Sequence, residues 1–320
     1  MKEIQFFLKK ELKIFEKTFE EAVRSRVSLL DRIMKYVVKT KGKQLRPMYV
    51  LLSAKIHGEL TEQTYRTASF VELLHTATLV HDDVVDDADK RRGFFSINAL
   101  WKNKVAVLVG DYLLSKGLLL SLSNKDFYIL EILSKAVKDM SEGELLQAEK
   151  ARKLDINESI YFEIIEFKTA SLISSACAAG AYSVTQNIET ANLMAQYGKM
   201  IGIAFQIRDD LFDYGKVDIG KPTGNDIKEK KMTLPLIYTL NHCDKQIKRK
   251  IISIFKKNKK TKEDLAYIIQ QVNLNGGIQY AENKMNEFVK KAEEIIEPYP
   301  NSEAKTHLLN LTKFSIQRNY

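Results

Sequence analysis

The stretch VELLHTATLVHDDVVDDADKRRG, Val71 to Gly93, runs from apolar residues directly into five aspartates. Asp82 and Asp86 are four residues apart, so on a helix both carboxylates project from one face. Asp83 and Asp87 form a second pair with the same spacing. Like charges so placed destabilise a bare helix, but they become favourable around a divalent cation, and carboxylate oxygens suit Mg²⁺. The stretch predicts an apolar helix that ends in a magnesium site, although one copy alone also fits a solvated acidic helix end.

A second acidic cluster has the same spacing. In IAFQIRDDLFDYG, residues 203–215, Asp209, Asp210 and Asp213 again follow an apolar run. Two copies of one acidic pattern are hard to explain as surface decoration. Facing one another, the clusters would form the mouth of a cavity that holds several cations and a polyanion. The repeat therefore favours the metal site over the solvated helix end.

Basic residues near these clusters indicate which polyanion is bound. Lys43 and Arg46 stand beside a predicted helix N-terminus, where backbone N–H groups and the helix dipole favour an anion. Arg91 and Arg92 directly follow the first acidic cluster, and arginine offers a planar fork to phosphate oxygens. Two further lysines lie in later segments. Lys168 directly precedes Thr169, and Lys221 lies in the glycine-containing stretch GKPTGND. The pattern predicts two phosphate sites, one bridged by metal and one held directly by Lys, Arg and His.

Composition narrows the class of protein. The chain has 320 residues, 45% of them hydrophobic, and a formal net charge of +9, which suits anionic partners such as nucleic acid, anionic lipid or phosphorylated small molecules. The same charge also fits simple solubility. Cys177 and Cys243 lack metal-type spacing and predict reduced thiols in a cytoplasmic protein. No signal peptide and no run of about 18 uncharged apolar residues is found, so we expect no transmembrane helix.

Apolar spacing along the chain is helical. Helices are predicted for Phe127–Lys150, from Asp155 through Tyr182, for Ile188–Phe212 and for Ser302–Gln317. The five prolines all stand where helices begin or loops run, and no segment alternates with period two for long, which makes strands improbable. No repeat and no Gly, Ser or Pro-rich linker divides the chain. The sequence predicts one all-α domain over residues 1–320 with ten or more helices.

The motifs, taken in order, resemble those of trans-type polyprenyl diphosphate synthases. The resemblance rests on GKQLRP, LLHTATLVHDDVVDDADKRRG, the glutamine of GELLQ, FKTA, FQIRDDLFD and GKPTGNDIKEKKMTLP, which together span Gly42 to Pro235. Lys230-Lys231 stand where the family often has Gly-Lys, and Lys231 still supplies the cation. The resemblance implies an isoprenoid synthase-type helical bundle around a central cavity. It also implies a homodimer that condenses isopentenyl diphosphate successively onto an allylic diphosphate.

The same resemblance implies a role for each matching residue. About three Mg²⁺ ions per active site would be held by Asp82, Asp86 and Asp209, with Asp83, Asp210 and Asp213 supporting them. The other roles fall into three groups: Arg91, Lys168 and Lys221 for the allylic diphosphate, Lys43, Arg46, His75 and Arg92 for isopentenyl diphosphate, and Lys168, Thr169 and Gln206 for the allylic cation. Lys231 is a further substrate-binding residue. The proton would be lost to the released diphosphate. No side-chain nucleophile is required.

Residues below the first acidic cluster address product length. On a helix, Ala77 and Thr78 lie about one turn below Asp82. Short-chain members of the family usually carry aromatic residues there, which close the hydrocarbon tunnel early. Small residues at these positions predict a long all-trans product, with octaprenyl diphosphate the best match, heptaprenyl and nonaprenyl close to it, and a respiratory quinone as the acceptor. A farnesyl or geranylgeranyl diphosphate synthase is the alternative.

Other function classes fit the sequence less well. His75, His81 and the aspartates suggest an HD-type phosphohydrolase, but the other three histidines are not near acidic clusters. Glu72 and His75 have the spacing of a helical di-iron site, without the second copy that such a site needs. A non-catalytic regulatory subunit would usually lose part of an aspartate motif, and both are complete here. The basic segment Lys245–Lys262 predicts a solvated helix face, or a transient membrane-surface contact, and we expect no nucleic-acid partner.

Overall fold

A computed structural model describes residues 1–40, 42–91, 93–153, 157–215 and 224–316 of the chain. Among these residues the chain forms sixteen α-helices, one π-helical turn and one two-stranded antiparallel hairpin. The helices are α1 (Lys2–Phe7), α2 (Lys9–Val23), α3 (Ser28–Lys39), α4 (Leu45–Lys55), α5 (Glu62–Val85), α6 (Ile97–Ser123), α7 (Phe127–Lys153), α8 (Glu158–Ile165), α9 (Ser171–Thr185), α10 (Ile188–Phe212), α11 (Asn225–Lys228), α12 (Leu234–His242), α13 (Lys245–Lys256), α14 (Lys262–Leu274), α15 (Gly277–Ile296) and α16 (Glu303–Ile316). The π-helical turn is Glu166–Ala170, and the hairpin pairs β1 (Lys90–Arg91) with β2 (Phe94–Phe95).

The chain divides into two compact units, which are described separately. Unit 1 comprises Met1–Val137, Leu172–Ala195 and Tyr299–Leu311, and unit 2 comprises Lys138–Ser171, Gln196–Pro298 and Thr312–Tyr320. Each unit therefore contains segments that are far apart in the sequence. The single domain expected over residues 1–320 stays a prediction.

In unit 1, the largely buried helix α5 carries the first acidic cluster at its C-terminal end. The helix begins with a capping box, in which the Thr61 side chain accepts from the Thr64 backbone N–H and the Thr64 side chain accepts from that of Thr61. It packs closely against α6, because a Cβ on Gly117 would lie only 2.4 Å from the Phe70 ring. A larger residue at Gly117 would have to displace that ring, which is buried. The close packing fixes the helix whose C-terminal end carries Asp82.

In unit 2, the π-helical turn is enclosed by glycines on two neighbouring helices. A Cβ on Gly143 of α7 would lie 2.8 Å from the Lys168 backbone nitrogen, and one on Gly202 of α10 would lie 2.4 Å from the Ala170 Cα. Neither position has room for a side chain, so both helices approach the backbone of the turn directly. The apolar core around the turn includes Ile165, Ile203 and other buried side chains of α8, α10, α12 and α15.

Most of the predicted helix positions are confirmed. The helix predicted for Ile188–Phe212 has those bounds, and α7 extends the predicted Phe127–Lys150 to Lys153. The helix predicted from Asp155 begins at Glu158, because the Asn157 side chain accepts from the Ile160 N–H and caps it. The last helix ends at Ile316 in the part of the chain that the structure describes.

Two predictions about local structure are wrong. The chain was expected to lack strands, but Lys90 pairs with Phe95 in a short hairpin that turns through Gly93 at a φ of 81°. Asp83 and Asp87 do not form a second pair on one helix face, because α5 ends at Val85 and Asp87 has a φ of 51°. Two residues per strand are too few to show a period in the sequence.

The long apolar helix α6 bears on the expectation that no helix spans a membrane. By length and composition alone, Ile97–Ser123 could cross a membrane: its most apolar window has a mean hydropathy of 1.7 and is 33% buried. It is the one such helix among the described residues. The core helix of a soluble protein passes the same test, and the helix also contains Asp111 and Lys116. The expectation therefore stays a prediction.

Candidate active site

The C-terminal end of α5 separates its first two aspartates into different environments. Asp83 is buried, and its Oδ1 accepts a hydrogen bond from the Arg91 Nε at 2.6 Å. Asp82 is partly exposed, and Asp86, which caps the helix, is exposed. The backbone N–H of Asp86 donates to the carbonyl of Asp82 at 2.8 Å, which keeps the two residues one turn apart. Carboxylates accessible at this spacing can share a divalent cation, whereas Asp83 supports the hairpin arginine.

The N-terminal end of α4, also in unit 1, brings one of the predicted cationic residues to a histidine of α5. The Arg46 Nη1 and the His75 Nε2 are 2.8 Å apart, and Lys43 is exposed just before the helix. Gln44 caps the helix in a left-handed conformation with a φ of 53°. A helix N-terminus with an arginine, a lysine and a histidine beside it attracts phosphate oxygens.

A cavity of about 100 Å³ lies next to these residues within unit 1. Its polar lining includes His75, Gln44, Asp83 and Arg91, together with the buried Glu72 and two glutamates of α2, Glu16 and Glu20. Its apolar lining comes from α2, α3, α5 and the hairpin: Phe15, Phe19, Tyr36, Val37, Leu79, Phe94 and Phe95. The cavity connects the arginine of the hairpin with the histidine of α5.

In unit 2, the π-helical turn directs Lys168 and Thr169 into a cavity of about 190 Å³. π-helical turns are rare and often occur at functional sites, because the extra residue changes which side chains share a face. The polar lining of this cavity combines residues from five segments: Gln147, Lys168, Thr169, Gln206, Asp209, Asp210, Asp226, Lys231 and Thr233. Six of the residues given a role from sequence therefore line one cavity: Lys168, Thr169, Gln206, Asp209, Asp210 and Lys231.

The Gln206 amide in this cavity is oriented at both ends. The Thr169 hydroxyl donates to its Oε1 at 2.8 Å, and its Nε2 donates to the Asp210 Oδ1 at 2.9 Å. The Tyr161 hydroxyl donates to the Asp210 Oδ2 at 2.7 Å. Asp210 is buried and its carboxylate is hydrogen-bonded to Tyr161 and Gln206 of the same unit, whereas Asp209 is exposed. The second aspartate motif thus has the same division as the first, with its first carboxylate accessible and its second one buried and hydrogen-bonded.

Burial raises the pKa of three carboxyl groups near the second motif. Burial is the largest cause for Asp210, whose pKa rises to about 8 with help from the charge of Asp226. Burial also raises the pKa of Asp226 to about 6, with Asp213 adding to the shift and Lys231 opposing it. The pKa of Asp213 is raised by burial, although the N–H groups of Asn225 and Asp226 donate to its carboxylate at 2.8 and 3.1 Å. Crowded carboxyl groups of this kind are stabilised when positive charge is brought to them.

The two lysines of this cavity are paired with carboxylates of their own unit. The Lys168 Nζ lies 2.5 Å from a carboxylate oxygen of Glu144 and 3.5 Å from the Gln147 Oε1. The Lys231 Nζ lies 2.6 Å from Glu229 and 3.7 Å from Asp226. Both pairs are partly exposed, so neither lysine is held strongly by its carboxylate.

The sequence as a whole matches the family model described as "Polyprenyl synthetase" over residues 27–272. The chain belongs to the polyprenyl synthetase family. It is 32% identical over 300 residues to the octaprenyl diphosphate synthase of Escherichia coli, with 93% of each chain covered. It is 30% identical over 324 residues to heptaprenyl diphosphate synthase component 2 of Geobacillus stearothermophilus, covering 100% of this chain and 99% of that one.

Solved structures agree with this polyprenyl synthetase assignment. A decaprenyl diphosphate synthase of Rhodobacter capsulatus superposes with a TM-score of 0.93 at 31% identity, covering 99% of this chain and 98% of that one. A polyprenyl synthase of Caulobacter crescentus, complexed with calcium and isoprenyl diphosphate, superposes with a TM-score of 0.90 at 28% identity, covering 98% and 97%. The chain is thus a long-chain trans-prenyltransferase with the all-α isoprenoid synthase fold. The predicted family, fold class and enzyme class are confirmed.

The predicted site residues of this polyprenyl synthetase are divided between the two units. Unit 1 contains Lys43, Arg46, His75, Asp82, Asp86 and Arg91, and unit 2 contains Lys168, Thr169, Gln206, Asp209 and Lys231. Ala77 is buried on α5, and the Thr78 hydroxyl donates to the His75 carbonyl at 2.9 Å. Arg92 and Lys221 lie outside the described residues. The roles of all these residues stay predictions.

Three residues that the structure places at the second cavity were missed by sequence reasoning. Asp226 lines the cavity beside Lys231, Tyr161 donates to Asp210, and Glu144 pairs with Lys168. The GND of the quoted motif contains Asp226 and was a usable signal. Glu144 lies in the quoted GELLQ, where the sequence drew attention to the glutamine and not to the glutamate. Tyr161 lies on α8 outside every quoted motif, and only the folded chain brings it to the cavity.

Proposed function

We propose that this enzyme is an octaprenyl diphosphate synthase that adds isopentenyl diphosphate repeatedly to an allylic diphosphate. The observation that carries this proposal is the cavity in unit 2, where a π-helical turn joins Lys168 and Thr169 to Gln206 and Asp209. The lysines can bind a departing diphosphate, the oriented amide can stabilise the positive charge left behind, and the accessible carboxylate can bind a metal ion. We further propose that the two units act together as one domain.

Metal binding in this proposal uses the accessible carboxylates. Asp82, Asp86 and Asp209 would hold about three Mg²⁺ ions, because this hard metal ion prefers oxygen ligands such as carboxylates. The donor set fits because these three are exposed or partly exposed, whereas Asp83 and Asp210 are hydrogen-bonded inside their units. Among the described residues no three acidic, histidine or cysteine side chains form a ready-made metal cluster. Mg²⁺ usually completes its shell with water and substrate phosphate, so this arrangement suits a metal that arrives with the diphosphate.

Bound Mg²⁺ would neutralise the allylic diphosphate and make it a better leaving group. The residues of the chain would do the rest. Lys168, Lys231, Arg91 and Lys221 would bind the diphosphate oxygens, and exchange of Lys168 from Glu144 to the substrate accompanies this step. The Gln206 Oε1 and the Thr169 oxygen would face the allylic carbon and stabilise positive charge there. The hydrogen bond between Thr169 and Gln206 orients the amide before substrate binds.

Isopentenyl diphosphate would bind to the cationic residues at the start of α4. Lys43, Arg46, His75 and Arg92 would hold its diphosphate, supported by the 2.8 Å contact between Arg46 and His75. Its double bond would then attack the allylic cation, and the released diphosphate would take the proton. The protein residues bind and orient, and none of them forms a covalent bond to the substrate.

We infer a homodimer from an apolar surface on α6. Leu108, Leu119 and Leu122 are each more than half exposed, and their spacing places them on one side of the helix. Exposed apolar surface of this kind usually marks an interface, and a second copy would cover it. The relative from Geobacillus stearothermophilus is described as a component, so a different subunit is the competing partner. Multi-angle light scattering of the wild type and Leu119→Lys tests this, with a monomeric variant expected.

The function itself is tested by sizing the product. The purified chain is incubated with farnesyl diphosphate, isopentenyl diphosphate and Mg²⁺, and the dephosphorylated products are separated by chromatography. Octaprenol is expected, consistent with a cytoplasmic enzyme that supplies the side chain of a respiratory quinone. Farnesol or geranylgeraniol as the end product would establish a short-chain synthase instead. No product from the chain alone, but product after mixing with a second subunit, would establish a component of a heteromeric enzyme.

A further inference from the structure

A basic surface covers one side of α13 and the loop after it in unit 2. The segment Lys245–Lys262 contains nine basic residues and no acidic one. Helix α13 buries Ile251, Ile254 and Phe255 and exposes its charged side. We define the basic surface by the exposed or partly exposed residues Lys228, Lys230, Lys245, Lys248, Arg249, Lys250, Lys256, Lys257, Lys259 and Lys260.

Two lysines of the basic surface connect α13 to the segment that carries part of the active site. The Lys230 Nζ donates to the Lys256 carbonyl at 3.4 Å and to the Asn258 Oδ1 at 3.2 Å. The Lys260 Nζ donates to the Lys228 and Lys257 carbonyls at 3.3 and 3.2 Å. Asp226 and Lys231, which line the cavity of unit 2, belong to the same short segment. The basic surface and the cavity are therefore adjacent within this unit.

Positive charge on this surface exceeds the negative charge close to it. The two carboxylate oxygens of Asp264 accept hydrogen bonds from the Lys257 Nζ at 2.8 and 3.0 Å, and Glu229 forms an ion pair with Lys231. Lys230 and Lys260 lie close enough that, after burial, the charge of Lys230 lowers the pKa of Lys260, with Asp264 opposing. Crowding of like charges costs stability unless an anionic partner approaches. An array of lysines on one surface matches an array of lipid phosphates.

We propose that the basic surface docks the enzyme on an anionic lipid bilayer. Basic residues on one face of a helix are attracted to anionic lipid headgroups without any insertion of the helix. Within the fully described segment Lys245–Lys262 the single aromatic residue, Phe255, is buried. The ring of Tyr267 on α14 lies beside the basic surface but is covered by the Lys250 ammonium, 3.9 Å from the ring centroid, so neither ring presents an open face for stacking on nucleic-acid bases. Nearly all the charges are lysines, which act as point charges rather than as planar forks for specific recognition. These features favour a membrane over nucleic acid.

Docking at this position has a consequence for product release, and this step rests on the proposed function. A long polyprenyl chain is insoluble, so it must pass from the cavity to a lipid phase. The segment with Lys228 and Lys230 on the basic surface also carries Asp226 and Lys231 at the cavity. A bilayer bound to the basic surface would lie next to the part of the site that holds the product diphosphate.

The test measures binding of the intact protein to vesicles without substrate. Wild type is sedimented with vesicles of phosphatidylcholine alone or mixed with phosphatidylglycerol. Lys256→Glu/Lys259→Glu changes two exposed residues of the basic surface, and Lys9→Glu/Lys10→Glu, on α2, makes the same charge change elsewhere. Each lysine near an anionic surface strengthens binding about fivefold, so the first variant should bind at least about 25-fold more weakly. The control variant should bind like wild type, and salt should weaken all binding.

Several outcomes would overturn the proposal. Equal vesicle binding by both variants, equal binding of wild type to neutral vesicles, or no vesicle binding at low salt would each do so. Tighter binding to a single-stranded RNA oligonucleotide, lost in Lys256→Glu/Lys259→Glu, would identify nucleic acid as the partner instead. Because vesicle binding needs no turnover, the result is independent of product analysis. The variant should retain wild-type activity with a soluble primer in detergent, which separates loss of docking from loss of catalysis.

Discussion

Arg91 of the hairpin donates through its Nε to the buried carboxylate of Asp83 at 2.6 Å. The acidic motif therefore holds one of the arginines expected to bind diphosphate. A charge-assisted hydrogen bond of this kind contributes about 1.5–3 kcal/mol when one partner is buried. Because Arg91 is about one third exposed, a contribution near the lower limit is expected.

Removal of either partner should destabilise the protein, and removal of both should cost less than the sum. Asp83→Ala and Arg91→Ala should each lower the free energy of unfolding by about 1.5 kcal/mol, since each leaves the other charge without its hydrogen bond. Urea denaturation of the two single variants and the double variant measures the coupling. Additive effects would mean that the 2.6 Å contact does not contribute to stability.

Metal dependence should be complete and separable from folding. Excess chelator should abolish turnover, and Asp82→Ala or Asp209→Ala should lower it by orders of magnitude, since both accessible carboxylates are assigned to Mg²⁺. Far-ultraviolet circular dichroism should be unchanged in both variants, because removing exposed carboxylates costs the fold little. Asp111→Ala, which removes an exposed carboxylate of α6, is the control. Full activity in excess chelator would disprove the metal assignment.

The two diphosphates should respond to different substitutions. Lys43→Ala, Arg46→Ala and His75→Ala should raise the Michaelis constant for isopentenyl diphosphate more than that for the allylic substrate. Arg91→Ala should do the reverse. Steady-state kinetics with each substrate varied in turn provides both constants. An equal rise in both constants for all four variants would show that the residues are assigned to the wrong substrate.

Aromatic substitutions below Asp82 should shorten the product. Ala77→Phe or Thr78→Phe should block the tunnel and stop elongation after about one or two additions to the primer, because a close-packed wall cannot yield. Ala77 is buried, and a larger side chain there costs about 1–3 kcal/mol, whereas Thr78 is partly exposed and tolerates the change better. Product sizing and thermal unfolding are measured on both. Wild-type product from two folded variants would place the tunnel on another face of α5.

Lys230 should be replaceable by glycine with a gain in stability. Its φ of 60° lies in the left-handed region, which costs a residue with a Cβ about 1 kcal/mol or more relative to glycine. The contacts of its Nζ are exposed and long, so their loss should offset little of the gain. Lys230→Gly should therefore raise the midpoint of thermal unfolding, with Lys248→Gly at an exposed position inside α13 as the destabilising control. A lower midpoint for Lys230→Gly would show that its ammonium contacts outweigh the backbone strain.

The long helices and the motif residues could be predicted because their signals are local. Apolar spacing determined the bounds of α10, and the DDxxD spacing selected Asp82 and Asp209 without any structure. The unequal burial within each motif could not be predicted, because Asp83 and Asp210 are identical in sequence terms to their neighbours. Their environments depend on Arg91 of the hairpin and Tyr161 of α8, which reach them only in the folded chain.

Two further features are backbone conformations that could be recognised only in the structure. FKTA is read from sequence as part of a continuous helix, and only the backbone shows that Lys168 and Thr169 occupy a π-helical turn. Lys230-Lys231 stood out as a departure from the family, and its physical meaning is the positive φ of Lys230. In both places the spacing of apolar side chains does not depend on these backbone angles, so the sequence could not predict them.

The π-helical turn makes the direction of two side chains depend on a single residue. Such a turn holds one residue more than the α-helix that would cover the same path. Deleting one residue between Glu166 and Ala170 would restore unbroken i to i−4 hydrogen bonding and leave the residues on either side of the turn in nearly the same register. The side chains inside the turn would change direction, so Lys168 and Thr169 would no longer both line the cavity. A shorter, more regular helix would thus be the less active one, and a one-residue insertion is a route by which an ordinary helix acquires this site.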